Sequence, residues 1–484
     1  MKKLVTTVTL LCCLAAALDA KVQLPSIFSD SMVLQRETAV SLWGKAEPGE
    51  KIKIETSWNG AKYQVKTGAE GRWSVQVATG SAGGPYTITF SDASKDKTVL
   101  RDVMLGEVWI CGGQSNMQMP VRGWPGQRAV ESQQTIRDSW QHPLVRYFKV
   151  EMKAAAEPQE DCEGSWHLPT PDNVAQCSAV AYYFGRMLSD LLGVPVGLVV
   201  DCVGGTMAET WMPKEDLKAI PGITLFDTAP EMTGPGELYN GMIAPVAPFT
   251  AKGVIWYQGE SNRYYPFEYA SILGGMIATW RRAWNAPEMP FIQTQLAQFK
   301  YESSQGYLVP VLIEQQYKAA VDVPGVYVAS TTDLGQPRCI HPDRKEKVGE
   351  RLCAIALQKC YDIHSLYGES PRLTGYEVKG TRVALRFNNN AEDLWFNTFS
   401  RTDAESRFVE IKGFEIAGED RVWHEAEAEF GEWPRQEIVV WSPDVSAPVA
   451  VRYAFRNVSD ANLYTVGGVP LAPFRTDDWP IEVK

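Results

Sequence analysis

Residues 106–119 read GEVWICGGQSNMQM, an apolar β-branched run that ends in two glycines and is followed by a serine. Val108 to Cys111 suit a buried strand, Gly112 and Gly113 permit a tight backbone, and Ser115 falls where the chain would leave the carboxyl edge of a sheet. A serine in that place is a candidate nucleophile, although Gly-Gly-x-Ser also serves as an ordinary strand-to-loop turn. Unassisted serine attacks poorly. It requires a base to take its proton and donors to hold the oxyanion that forms.

Three further stretches supply those parts. VDCVGGTMAETW, residues 200–211, sets Gly204 and Gly205 after a second apolar run, where a backbone N–H could meet a developing negative charge. WYQGESN, residues 256–262, carries Gln258, Glu260 and Asn262 beyond a third run. A side-chain amide there could complete an oxyanion hole, and the same groups could simply tie loops together. DLGQPRCIHPDRKEKVGERL, residues 333–352, places His341 and Pro342 just ahead of a basic amphipathic stretch. Of the five histidines, His142, His167, His341, His364 and His424, only His341 falls at an expected strand end, which makes it the candidate general base. No two histidines have helical metal-ligand spacing, so no metal site is expected.

These motifs need a scaffold. From about residue 101 to 366, apolar strands alternate with helical stretches. Strands are expected to end at Cys202, Gly259, Leu296 and Thr331, with helices at 179–192, 267–284, 312–320 and 344–359. That alternation predicts an α/β class: a three-layer αβα domain on a mainly parallel sheet. Residues 21–100 read as short alternating segments between turn signals, an N-terminal β-sandwich-like module, and alternation returns over 367–484 as a C-terminal β module. Loops at 120–178 and 204–250 are long and rich in Pro, Gly and Trp, as binding loops often are.

Residues 1–20 combine Lys2 and Lys3, an apolar stretch from Leu4 to Leu18 and small residues at Ala15, Ala17 and Ala20. This is the pattern of a cleaved signal peptide, and it implies export to a periplasm or beyond, with no membrane-spanning segment afterwards. A formal charge of −11 makes nucleic acid a poor partner. Seven cysteines lie beyond residue 20. Cys162 with Cys177 is the most plausible local disulfide, whereas Cys111 and Cys202 suit apolar packing within strands.

Taken together, GEVWICGGQSNMQM, GGTMAETW, WYQGESN and IHPDRKEKVGERL resemble the SGNH (GDSL-like) hydrolase superfamily, and within it the sialate O-acetylesterase family. The resemblance extends to FSDSMVLQR and VSLWGKAEPGE near the start and to VRYAFRNVSDANLYTVGGVPLAPFRTDDW near the end. It implies Ser115 as nucleophile, His341 as base, and an oxyanion hole of the Ser115 N–H, the Gly205 N–H and the Gln258 side chain. Gly204 and Asn262 are the neighbouring alternatives. Many members of that superfamily carry Asp three residues before the histidine, but here the position is Arg338. Asp333 and Asp343 are therefore the candidate third members, with a Ser-His dyad as the other possibility. Gln114, Glu260, Trp124 and Trp211 are candidate substrate contacts, and Trp140 and Trp166 also fall in or beside the long loops.

The expected activity is removal of O-acetyl groups from sialic acids through an acetyl-enzyme, with no cofactor. The nearby alternative is deacetylation of plant polysaccharide fragments such as acetylated xylo-oligosaccharides. A different class, a non-catalytic carbohydrate-binding protein, would also use the 16 Trp, 19 Tyr and 17 Phe. The partner in every case is a sugar, and oligomeric state is left open.

Overall fold

The computed structural model describes residues 22–92, 97–223, 233–301, 306–388, 396–398, 410–431 and 437–482. The expected signal peptide lies outside the described residues. The fold is mixed α/β with a mostly parallel central sheet and additional β-sheets on either side in sequence.

The central sheet contains β1 (Lys97–Gly113), β2 (Val145–Val150), β3 (Gly164–His167), β4 (Val196–Cys202), β5 (Gly253–Tyr257), β6 (Phe291–Thr294) and β7 (Val326–Ala329). Their spatial order is β7-β6-β5-β1-β4-β2-β3. Every pair is parallel except the last, β2 with β3. β1 is central, and the chain order reverses around it, so the carboxyl ends of β1, β4 and β5 form the crevice where such sheets bind ligands. Ser115, Gly204–Gly205 and Gln258–Asn262 all follow directly from those three ends.

Five helices matter to the site: α1 (Ser115–Gln118), α2 (Ala179–Leu192), α3 (Tyr269–Ala283), α4 (Leu308–Asp322) and α5 (Lys345–Cys360). Helix α2 begins where Ser178 Oγ accepts the Ala181 N–H at 3.2 Å and ends at left-handed Gly193. It packs closely on α5. A Cβ at Gly349 would lie 2.7 Å from Tyr183 Cβ, so only glycine lets the two helices approach this far. The two sheet faces are sealed by separate apolar clusters. One contains Ile110, Trp256, Met276 and Trp280, and the other contains Trp109, Cys111, Tyr183 and Leu352.

β1 also runs without a break through position 100. Its first half pairs antiparallel with Gly83–Ser91, and its second half is buried between β4 and β5. One strand thus anchors the N-terminal strands to the central sheet. Beyond α5, two antiparallel four-stranded sheets share a cluster of Leu385, Ile438, Ile416 and Tyr453.

Strands β2 and β3 lie within what reads as loop. Charged positions hide β2: Arg146 is buried, donating to the carbonyls of Asp102 (2.6 Å) and Ser31 (3.0 Å) and to the Asp102 carboxylate (3.0 Å). An ion-paired arginine inside a sheet breaks the apolar pattern by which strands are read. The expected Cys162–Cys177 disulfide is not formed, and both are free thiols. They belong to the apolar clusters of opposite sheet faces, which separates them.

Candidate active site

Ser115 opens α1, two residues beyond the end of β1. The turn that places it depends on Gly113, whose φ is +143° and where a Cβ would lie 2.2 Å from the Tyr257 carbonyl oxygen. Gln114 then holds the turn in two ways. Its N–H donates to Tyr257 O at 3.0 Å, and its side-chain oxygen accepts from the N–H groups of Gly259 and Ser261, each at 3.3 Å. Gln114 is buried in this brace, which supports the turn that leads into Ser115.

Ser115 and His341 meet across 226 residues of chain, with Ser115 Oγ 2.8 Å from His341 Nε2. His341 Nδ1 lies 2.7 Å from Gln127 Oε1. Because that amide oxygen can only accept, Nδ1 carries the proton and Nε2 is left as the acceptor for the serine hydroxyl. Burial, and secondarily the Lys345 cation, push the His341 value down to about 4, so the ring is neutral near pH 7.

Neither aspartate expected to orient His341 does so. Asp333 is held by both guanidinium nitrogens of Arg351, at 2.7 and 2.8 Å. The Asp343 carboxylate lies 3.7 Å from Arg128 Nε, and its backbone carbonyl accepts from Val130 N–H. The orienting partner is Gln127, which sequence reasoning missed. It closes the turn Trp124-Pro125-Gly126-Gln127: the Gln127 N–H donates to Trp124 O at 2.9 Å, and Gly126 has φ +75°. Pro-Gly at the centre of a turn is the signal that could have revealed this. The same turn sets the Trp124 ring edge-on to the imidazole, with centroids 5.0 Å apart.

Gly204 and Gly205 lie against the serine. A Cβ at Gly204 would come within 3.3 Å of Ser115 Cβ. The Gly204 N–H is committed to Gln118 Oε1 at 3.0 Å, whereas among the described residues no acceptor is bonded to the N–H of Gly205 or of Ser115. Gln258 is not available as an oxyanion donor. Its two amide hydrogens go to Thr206 O (3.0 Å) and Asn262 Oδ1 (2.7 Å), and its oxygen accepts from Tyr269. Asn262 donates once, to Glu209 Oε2 at 2.8 Å, which leaves one amide hydrogen uncommitted.

The remaining candidates separate by burial. Trp211 is fully buried, with its indole N–H on Thr206 Oγ1 at 3.1 Å, and packs edge-on to Trp256 as core. Trp166 is also buried, whereas Trp140 is exposed. Glu260 is buried with Asn116 and Lys345 behind the site, and burial raises its carboxyl. Among the described residues, no group of three His, Cys, Asp or Glu is placed to hold a metal ion.

Residues 105–358 match the family described as carbohydrate esterase, sialic acid-specific acetylesterase. The human sialate O-acetylesterase is 30% identical over 384 residues, covering 72% of this chain and 72% of the human one. The rat enzyme is 28% identical over 76% of this chain and 79% of its own. A crystal structure of a carbohydrate acetylesterase from Xanthomonas citri superposes with a TM-score of 0.84 at 32% identity, covering 95% of this chain and all of that one. Fold and relatives together define a carbohydrate esterase, with its candidate site at the carboxyl edge of the parallel sheet. The chain belongs to the sialic acid-specific acetylesterase family.

Proposed function

We propose that this chain is an exported carbohydrate O-acetylesterase that removes O-acetyl groups from sialic acids by serine catalysis. The observation that carries the mechanism is the hydrogen-bonded series Ser115 Oγ, His341 Nε2, His341 Nδ1 and Gln127 Oε1. As Ser115 Oγ attacks the acetyl carbonyl, His341 Nε2 takes its proton. The N–H groups of Ser115 and Gly205 receive the oxyanion. Each such donor is worth about 2.7–4 kcal/mol of barrier. Collapse releases the sugar oxygen, which takes the proton from His341, and leaves acetyl-Ser115. Water, deprotonated by the same nitrogen, then frees acetate.

Gln127 orients the ring but carries no charge, so the imidazolium lacks the stabilisation an aspartate would supply. The imidazolium is consequently a strong acid, suited to protonating a departing sugar alkoxide. Export rests on the charged, apolar and small-residue order of residues 1–20. No helix among the described residues is long and apolar enough to cross a membrane.

A second reading of the substrate on the same machinery is acetylated plant polysaccharide fragments, since the Xanthomonas protein that matches almost the whole chain is described only as a carbohydrate acetylesterase, with no particular sugar. Acetate release from 9-O-acetylated sialic acid and from acetylated xylo-oligosaccharides, by the wild type and by Ser115→Ala, decides between them. Serine-dependent release from the sialic acid is the expected result. Release from the xylan fragments alone would move the substrate class, and release that survives Ser115→Ala would refute the mechanism.

A further inference from the structure

Behind Ser115 and His341 lies a polar cluster that the mechanism above does not use. Asn116 follows the serine directly and is fully buried. Its amide nitrogen donates to the Ile340 carbonyl at 3.0 Å, the residue before His341, and to Glu260 Oε1. Its oxygen accepts from Lys345 Nζ, at the start of α5. One side chain therefore ties together the nucleophile turn, the histidine loop, the loop after β5 and the first turn of α5.

Lys345 is itself buried, with Nζ 5.3 Å from the centroid of the Tyr257 ring. Buried ammonium groups are rare unless balanced, and Glu260 is the balancing charge, with one carboxylate oxygen that finds no partner among the described residues. Such a pair is weak support for stability, since well-packed apolar residues often do as well. Its position beside the reacting pair suggests another use.

We propose that Asn116, Lys345 and Glu260 form a positioning unit in which Asn116, held by Lys345 and Glu260 and bonded to the Ile340 carbonyl, sets the spacing of Ser115 and His341. The proposal rests on the Ser115–His341 mechanism. Facing Lys345 are Asn116, Glu260, Cys339, Asp343 and the Tyr257 ring.

The test uses the full-length mature enzyme with Asn116→Ala, with Lys345→Gln, which can still donate to Asn116, and with Lys345→Met, which keeps the length without polarity. Thermal unfolding identifies the folded variants. Asn116→Ala is expected to lower kcat by about tenfold or more at the pH optimum, through misplacement of the reacting atoms. An unchanged kcat there would overturn the spacing role. Lys345→Gln is expected to keep more of the wild-type kcat than Lys345→Met, because it still holds Asn116. Equal kcat in the two folded variants would overturn the part assigned to Lys345. If turnover survives Ser115→Ala, the serine mechanism fails instead.

Discussion

At the scale of single residues, the site departs from the usual triad at one atom: the acceptor for His341 Nδ1 is an uncharged amide. Its consequence can be measured. With His341 held at about 4 by burial and Lys345, the acid limb of kcat/KM should fall near that value, well below the 6.5 of a free imidazole. A limb near 6.5 would contradict the burial of the ring. Gln127→Glu places a negative charge on Nδ1, favours the imidazolium and should move the limb upward, so activity is lost at pH 5 while it persists at pH 8. Gln127→Ala removes orientation without adding charge and should lower kcat about 10- to 100-fold with little movement of the limb. Single-turnover pH profiles distinguish the two. The pairing of Ser115 with His341 could be anticipated because Ser115 follows an apolar run directly and His341 lies in the loop between the last such run and a basic amphipathic stretch. Gln127 could not, since an amide in a long loop carries no titratable signature, and a search for carboxylates passes over it. Lys345 was hidden for a related reason: it sits in a run of charges, RKEK, that reads as a solvated helix start, yet its side chain turns inward to Asn116.

At the scale of elements, the strand ends do most of the positioning. The alternation of apolar runs and amphipathic stretches foretold α2 at Ala179–Leu192 and α5 within one residue at each end, because both combine sharp end signals with long periodic faces. Helix α4 extends four residues earlier than its apolar pattern suggested, to Leu308, with Pro310 tolerated in its first turn. Strands β2 and β3 escaped notice because buried Arg146 and the half-buried His167 interrupt their pattern. The proposed oxyanion donors could be narrowed in the sequence only to a neighbourhood, since preferring Gly205 to Gly204 requires knowing that Gln118 accepts the Gly204 N–H. The glycine that ends β1 is the most exacting position. Gly113→Ala would force a methyl group to within 2.2 Å of a backbone oxygen at a φ that L-residues avoid. It should destabilise the protein by at least about 1–3 kcal/mol and depress turnover through the displaced serine, as read by urea midpoints beside kcat. A midpoint within error of wild type would show that the turn can relax.

At the scale of the whole molecule, one buried ionisable group stands apart from the site. Asp201, opposite Gly112 at the end of β4, is fully buried with neither carboxylate oxygen partnered among the described residues. Burial raises its carboxyl to about 8. The folded state therefore keeps a proton that the unfolded chain gives up near 3.9. The stability tied to this proton is fully present below about pH 4 and is lost as pH rises through about 8. Asp201→Asn should flatten that decline and raise the denaturation midpoint at pH 9 relative to wild type, and parallel curves for the two proteins would contradict the assignment. The gross architecture was legible because apolar runs outnumber charged interruptions in the central sheet. The continuity of β1 through position 100 was not, because Arg101 and Asp102 read as a break, although they lie within one strand whose Asp102 pairs with Arg146.

The central claim is that ester cleavage passes through an acetyl group on Ser115. Rapid quenching of the mature enzyme with 9-O-acetylated sialic acid, followed by peptide mass spectrometry, tests it most directly. The account predicts a transient acetyl adduct confined to the peptide that carries Ser115, accumulating further when deacylation is slowed and absent from Ser115→Ala. Full turnover with no adduct under any quench time, or an adduct on another residue that survives Ser115→Ala, would contradict it.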